Sequence, residues 1–189
     1  PVSEARPEPY WRLPNAVELK AHLHHALARG AQGLLFYTYQ DEPPRVAMAD
    51  QKTLDPHPTG LLDAAGEIAR LTRRHGRLLK ELRFGGVEAV SSDRTVLAVP
   101  RYRGKAAQAG DKYIYLVNLC ADAPAAGALK FGATVKPFPC VDDVYSGERI
   151  RTSRSGVNVT VPYRLPPGGA ALLKIVADET IEPEPRRAD

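Results

Sequence analysis

The pattern of apolar and polar residues predicts a helix near the start of the chain. Between residues 16 and 29 one side of a helix collects the apolar positions, which are Ala16, Leu19, Leu23, Ala26 and Leu27. Asn15 is a favourable N-cap residue, Glu18 occupies the capping-box position, and Gly30 provides a C-terminal stop. We therefore expect a helix over 16–29 with its apolar face buried.

The next segment is uncharged and lacks alternation. It reads Leu34-Leu35-Phe36-Tyr37-Thr38-Tyr39, a composition typical of a strand buried on both faces, as in parallel sheets. Residues 40–57 contain three prolines and little periodicity, and loops of this length in compact domains are usually functional.

A second helix is predicted after this loop, with Thr59 as its N-cap and Gly85-Gly86 at its end. Its apolar stripe comprises Leu61, Ala65, Ile68, Thr72, His75, Leu79 and Leu82. Because His75 lies on this stripe, we expect a histidine in the core or at an interface.

From Val87 onward the pattern changes to short apolar runs separated by turn residues. Strands are predicted at 87–91, 94–102, 112–120, 128–135, 140–145, 148–152, 157–162 and 170–176. Regular short strands with such turns indicate an antiparallel sandwich or barrel. We therefore divide the chain into an α/β segment (1–85), an all-β domain (86–177) and a flexible tail (178–189).

The predicted strand Leu34–Tyr39 has no obvious partner in the α/β segment. A single parallel strand cannot satisfy its own backbone amides and carbonyls. Either it joins the all-β half in a mixed sheet, or the chain is the C-terminal piece of a larger α/β protein. The first residues lack an initiator methionine and a leader peptide, which favours the second interpretation and leaves room for a preceding export signal.

Composition excludes several classes of protein. Charged residues make up 25% and apolar residues 43% of the chain, which is ordinary for a globular protein and argues against disorder or a disulfide-dense scaffold. No window approaches 18 consecutive apolar residues, so we expect no membrane span. Cys120 and Cys140 are 20 positions apart without a CxxC motif, and either a disulfide or two thiols is compatible with this spacing.

The net charge of +4 is modest, and the basic residues are scattered. The densest group, Arg70, Arg73, Arg74 and Arg77, is not interleaved with aromatic residues, so we interpret it as a solvated helix face and expect no nucleic-acid partner.

Cofactor and metal signatures are also missing from the sequence. His22, His24 and His25 spread around the predicted polar side of the first helix, whereas a metal needs convergent ligands. Pro166-Pro167-Gly168-Gly169 has neither the Lys-Ser/Thr pair nor the strand-to-helix context of a phosphate loop. We therefore expect no metal site and no cofactor.

Several runs of residues resemble a known family. The runs Arg12-Leu13-Pro14-Asn15, Glu18-Leu19 and Ala26 to Tyr39 are similar to the end of the TIM barrel of clan A glycoside hydrolases, in particular of bacterial β-galactosidase-like sugar hydrolases. The second half of the chain is similar to the small sandwich that is appended to many such barrels. The runs that carry this similarity are Tyr115-Leu116-Val117-Asn118, Val141 to Glu148 and Leu165-Pro166-Pro167-Gly168-Gly169. The fold implied is the last helix–strand–helix of a (β/α)₈ TIM barrel followed by an antiparallel β-sandwich.

The activity implied by the resemblance is retaining hydrolysis of O-glycosyl bonds by two carboxylates. In this clan those carboxylates stand at the ends of the fourth and seventh barrel strands, so no catalytic residue is expected in this chain. The chain would instead contribute to the substrate rim, which lies at the carboxyl ends of barrel strands. Its candidate residues are Tyr39, Gln40, Glu42 and Trp11. Trp11 could equally pack against the barrel wall.

Asp41 and Glu42 are poor candidates for an acid/base pair, because adjacent side chains of an extended segment point in opposite directions. The resemblance implies two partners, a carbohydrate and the missing N-terminal part of the barrel. We favour a secreted or periplasmic location over a cytoplasmic one, since there is room for an export signal before the first residue. The alternative function is a stand-alone carbohydrate-binding or structural interaction module without catalysis. The pairing of the strand Leu34–Tyr39 distinguishes the two.

Overall fold

The computed structural model describes residues 14–36, 60–132 and 138–178, which form two helices and ten strands. The helices are α1 (Ala16–Ala28) and α2 (Leu61–Glu81). The strands are β1 (Arg83–Phe84), β2 (Ala89–Ser91), β3 (Val96–Arg103), β4 (Asp111–Asn118), β5 (Ala125–Gly132), β6 (Phe138–Asp143), β7 (Arg149–Ile150), β8 (Ser153–Ser155), β9 (Asn158–Leu165) and β10 (Ala170–Asp178). In these ranges neither helix has the length and apolarity needed to cross a bilayer.

The strands form an antiparallel sandwich, which confirms the prediction of a β-rich second half. One sheet has the order β1-β3-β4-β10-β6-β7 and the other β2-β5-β9-β8. Side chains from both sheets share one core, among them Ile114 and Leu116 from the first sheet and Leu129, Phe131 and Val161 from the second. The two sheets therefore pack face to face, as in other sandwiches.

The central strand β4 is buried on both faces. Ile114 and Leu116 point into the sandwich core, whereas Tyr113, Tyr115 and Val117 point to the opposite face and contact the helices. This division follows from the two-residue period of a strand. The six-stranded sheet consequently forms the middle layer of three, between the four-stranded sheet and the helices.

Helix α1 has the predicted N-terminus. The side chain of Asn15 accepts hydrogen bonds from the backbone amides of Val17 and Glu18, and the Glu18 carboxylate accepts one from the Asn15 amide. This reciprocal pair is the capping box that the sequence predicted.

The buried face of α1 differs from the predicted one. The buried residues are Ala21, Leu23, His24, Leu27 and Ala28, while Ala16, Leu19 and Ala26 are only partly buried. The assignment of His24 to a solvated face is therefore wrong. Because α1 contacts both α2 and strand β4, its covered surface is wider than one apolar stripe and includes this polar residue.

Helix α2 follows the predicted apolar stripe but starts differently. Gly60, in the left-handed conformation with φ of 69°, is the N-cap residue, and no side chain caps the helix. The assignment of the N-cap to Thr59 is thus wrong by one residue, because the chain enters the helix through a conformation that favours glycine. Thr59 itself lies outside the described residues.

The structure also departs from the predicted strand Leu34–Tyr39. Residues 34–36 are not in a strand, and Leu35 is 97% exposed rather than buried on both faces. Among the described residues no strand pairs with this segment, so its backbone makes no interstrand hydrogen bonds there. The remaining residues of the prediction, 37–39, lie outside the described ranges.

Two strands escaped prediction. β1 comprises only two residues and β8 reads Ser-Arg-Ser, so neither carries an apolar period. Each exists because it pairs with a long neighbour, β1 with β3 and β8 with β9.

Candidate functional site

The predicted substrate-rim residues cannot be located in the structure. Trp11, Tyr39, Gln40 and Glu42, together with Asp41, lie outside the described residues. The features that the structure does bring together lie where the helices meet the six-stranded sheet and between the two helices.

Four aromatic side chains form a cluster between the helices and the sheet. We call it the His–Tyr cluster; its members are His24 of α1, His75 of α2, Tyr115 of β4 and Tyr145, which follows β6. The rings of Tyr115 and Tyr145 meet edge to face with centroids 5.8 Å apart, and the centroid of His75 is 5.3 Å from that of Tyr145. His75 therefore lies at an interface, as its place on the apolar stripe indicated.

The hydroxyl groups of this cluster form a directional chain. The Tyr145 hydroxyl donates to the Tyr115 hydroxyl at 2.7 Å, and the Tyr115 oxygen lies 3.1 Å from Nδ1 of His24. With Tyr145 as its donor, the Tyr115 hydroxyl has its own proton available for an unprotonated Nδ1. This arrangement is compatible with a neutral His24 in which Nε2 carries the proton.

The electrostatics of the cluster agree with a neutral histidine. Burial lowers the pKa of His24 to about 4, with a smaller opposing effect from Glu67 and a smaller lowering effect from Lys20. Burial likewise raises the pKa values of Tyr115 and Tyr145, so both phenols stay protonated at neutral pH.

A turn after β6 positions Tyr145. Asp143 Oδ1 accepts a hydrogen bond from the Tyr145 amide, and Oδ2 accepts one from the Ser146 hydroxyl. The Gly147 amide donates to the Asp143 carbonyl. An aspartate that bonds the backbone two residues on is a common turn device, and here it directs Tyr145 toward the helices.

A second turn brings the sandwich against the start of α1. Gly168 is buried with φ of 61°, its amide donates to the Cys120 carbonyl, and a β-carbon on it would overlap the carbonyl oxygen of Val17. Asn118 donates to the carbonyl of Pro166 in the same turn. Only glycine combines this backbone conformation with so close an approach.

These contacts give the three sandwich motifs a common location. The run 115–118 supplies Tyr115 and Asn118, the run 141–148 supplies Tyr145, and the run 165–169 supplies Gly168. All three therefore build the junction between the sandwich and the helices. The three runs could be recognised in the sequence, but a local pattern does not show that their side chains meet at this junction.

Arg101 is a buried cation at the same junction. Its residue is 3% exposed, Nη2 donates to the Leu82 carbonyl at 2.8 Å, and the guanidinium carbon lies 4.1 Å from the Phe84 ring centroid. Within the described residues Nη1 has no hydrogen-bond partner. Burial lowers the pKa of Arg101, and the carbonyl end of α2 partly compensates the charge.

A groove of about 360 Å³ separates the two helices near their C-terminal ends. Its apolar lining includes Leu27, Leu34, Phe36, Ile68 and Leu79. Leu35, between two of these residues, is almost fully exposed. The groove thus continues along one side of the segment 34–36, whereas the other side of that segment is uncovered.

The described residues show no metal-binding constellation. No group of three or more histidine, cysteine, aspartate or glutamate side chains in these ranges could hold an ion. His22 is exposed and His24 is buried, so these two do not converge. Cys120 and Cys140 are both thiols.

Comparisons with known proteins give no family. No protein-family model matches the chain, and no curated protein matches it. Among solved structures, the alpha-fucosidase of Thermotoga maritima aligns with 89% of this chain and 36% of its own length, at 14% identity and a TM-score of 0.46. The same enzyme in complex with fucose aligns with 87% of this chain and 35% of its own, at 14% identity and a TM-score of 0.44.

A rhamnosidase from Novosphingobium sp. PP1Y aligns with 75% of this chain and 14% of its own length, at 16% identity and a TM-score of 0.36. These solved structures are glycoside hydrolases, but likeness at this level carries no argument about the activity of this chain. The chain spans little more than a third of the length of the fucosidase.

Proposed function

We propose that this chain is the C-terminal portion of a retaining glycoside hydrolase. In this proposal α1, the segment 34–39 and α2 are the last helix–strand–helix of a TIM barrel, and the sandwich is an accessory domain packed on the helices. The observation that carries the proposal is the exposed Leu35 in an apolar segment between two helices.

The burial of the segment 34–36 alternates as in a strand with one covered face. Leu34 and Phe36 pack against the helical side of the core, whereas Leu35 points away from it and is 97% exposed. In a barrel strand one face packs on the surrounding helices and the other fills the barrel interior, which is rich in branched apolar residues. Neighbouring parallel strands would cover Leu35 and pair with the backbone of its segment.

The alternative, a stand-alone carbohydrate-binding sandwich, gains no support from the outer face of the four-stranded sheet. Sugar-binding surfaces use aromatic rings to cover the C–H faces of the sugar. The outward pairs here are Ala126 with Arg164, Ala128 with Pro162, Lys130 with Thr160 and Gly132 with Asn158. None of these described positions carries an aromatic ring.

Within this proposal the substrate is a carbohydrate bound at the carboxyl ends of the barrel strands. Tyr39, Gln40, Glu42 and Trp11 are its rim residues in this chain, and both catalytic carboxylates belong to the missing barrel strands. The proposal includes a secreted or periplasmic location for this enzyme.

The proposal is tested by intact mass, partner capture and hydrolysis. We expect the purified chain alone to leave aryl glycosides intact and the assembly containing the barrel strands to hydrolyse them. The proposal is wrong if the 20.6 kDa chain hydrolyses aryl glycosides by itself, or if it co-purifies with no further barrel strands and no assembly that contains it hydrolyses them.

Leu35→Asp provides a test of the assembly step. Because Leu35 is exposed in this chain, we expect the free energy of unfolding of the chain alone to change by less than about 0.5 kcal/mol. Association with the barrel part should weaken by tenfold or more, because a carboxylate would be buried without a partner (about 1.4 kcal/mol per tenfold).

Val157→Asp is the matched control, since Val157 is also exposed and lies at the turn between β8 and β9. Urea titration and co-purification would be measured on both variants. Equal association of the Leu35→Asp and Val157→Asp chains would remove Leu35 from the barrel interior.

A further inference from the structure

Helix α2 carries a continuous basic surface on the side opposite its buried stripe. We call it the basic face; its members are Arg70, Arg73, Arg74, Arg77 and Lys80, all exposed. Their spacing of three and four residues places them on one side of the helix. The surface is about 15 Å long, since a helix rises 1.5 Å per residue.

The described structure leaves most of this charge uncompensated. Arg77 pairs with Glu81 at 3.4 Å, but the same carboxylate binds Arg103 at 2.6 Å. Glu67, near the other end of the face, pairs with Lys20. In the described ranges no ion pair involves the other four members.

The arrangement is unfavourable for the helix by itself. Arg70 and Arg74, like Arg73 and Arg77, are like charges four residues apart, a spacing at which they repel. A bound polyanion would turn this repulsion into attraction, and the guanidinium group matches the two oxygens of a carboxylate or sulfate.

We propose that the basic face binds an acidic polysaccharide. The exposed large apolar side chains of the described residues are Leu35, Phe84, Val90, Leu119 and Val157, and none is on this face. It therefore lacks the aromatic platform of single-strand nucleic-acid binders and the apolar wedge of membrane-binding helices. The choice of a carbohydrate over other polyanions rests on the proposed function.

The test uses the full chain and polygalacturonate as the probe, with neutral dextran and a 20-base-pair DNA duplex for comparison. In about 0.1 M salt, where exposed charges are already partly screened, we expect binding to polygalacturonate but not to dextran. The affinity should fall as salt is raised, because bound counterions are released on binding.

Two triple variants separate a local site from general charge. Arg70→Gln, Arg73→Gln and Arg74→Gln together should weaken polygalacturonate binding about tenfold, since each exposed ionic contact contributes modestly. The matched control replaces the exposed Arg94, Arg151 and Arg164 by glutamine, which removes the same charge from the sandwich. This control should lose less than about twofold.

Far-UV circular dichroism checks the fold of each variant. The single variant Arg73→Gln gives a second measure of the contribution of the basic face, and its affinity for polygalacturonate should fall about twofold to threefold. Three outcomes would each overturn the proposal. The wild-type chain does not bind polygalacturonate, the two triple variants lose affinity for it equally, or the chain binds DNA more tightly than polygalacturonate at equal charge concentration. Binding is measured without hydrolysis, so the result is independent of whether an assembled enzyme cleaves glycosides.

Discussion

Replacing Asn118 by alanine is expected to lower the free energy of unfolding by about 2–4 kcal/mol. The residue is fully buried at the end of β4. Its amide donates to the carbonyls of Ala123 and Pro166 at 2.9 and 3.0 Å, and its oxygen accepts from the Cys120 amide at 3.0 Å. Alanine removes all three bonds, each with a net contribution of about 0.5–1.5 kcal/mol. The Pro166 carbonyl keeps its bond from the Gly169 amide.

The measurement is the urea-induced unfolding of wild-type and variant chains. Asn158→Ala is the matched control, because Asn158 is exposed at the start of β9, and its expected effect is within about 0.5 kcal/mol. Asn118→Asp keeps the acceptor for Cys120 but loses both donations, so we expect it to be nearly as destabilising as alanine. A loss below about 1 kcal/mol for Asn118→Ala, less than one net hydrogen bond, would contradict the prediction.

Acid is expected to destabilise the fold through His24 by about 3 kcal/mol between pH 7 and pH 4. Burial lowers the pKa of His24 from 6.5 to about 4, so the unfolded chain binds the proton more tightly than the folded one. The contribution of His24 is complete above pH 6.5 and is lost progressively as the pH falls toward 4. A protonated Nδ1 would also have to donate to the Tyr115 hydroxyl, which already accepts from Tyr145.

Urea titrations at several pH values between 4 and 7 measure this effect. In His24→Gln the amide oxygen can still accept from Tyr115 but does not titrate, so the pH dependence should become shallower by about 3 kcal/mol over that range. His22→Gln, at an exposed position of the same helix, should keep the wild-type slope. Burial also lowers the pKa of His75, so part of the acid sensitivity should remain in His24→Gln. Identical slopes for wild type and His24→Gln would exclude His24 as the source.

Local sequence predicted the elements whose signals are local. Asn15 and Glu18 define the start of α1, since a capping box needs only residues three positions apart. The sandwich was predictable because its longer strands repeat apolar residues with the period of a pleated chain. β1 and β8 were not predictable, since they are too short to show a period and depend on pairing with β3 and β9.

The site was less predictable than the fold. The family resemblance pointed to Tyr115, Asn118, Tyr145 and Gly168 as parts of recurrent runs, but not to their shared position at the junction with the helices. Trp11, Tyr39, Gln40 and Glu42 stay predictions. Arg101 gave no signal, because an arginine in a strand is ordinarily exposed, and only its contacts with Leu82 and Phe84 show its burial.

The sequence by itself determined the two helices and the antiparallel character of the second half. The tertiary structure alone decided which surfaces are covered. It buried His24 against Tyr115, 91 positions away, and left Leu35 exposed. The physical reason is that periodicity and capping depend on neighbours within one turn of the chain, whereas burial depends on what packs across the fold.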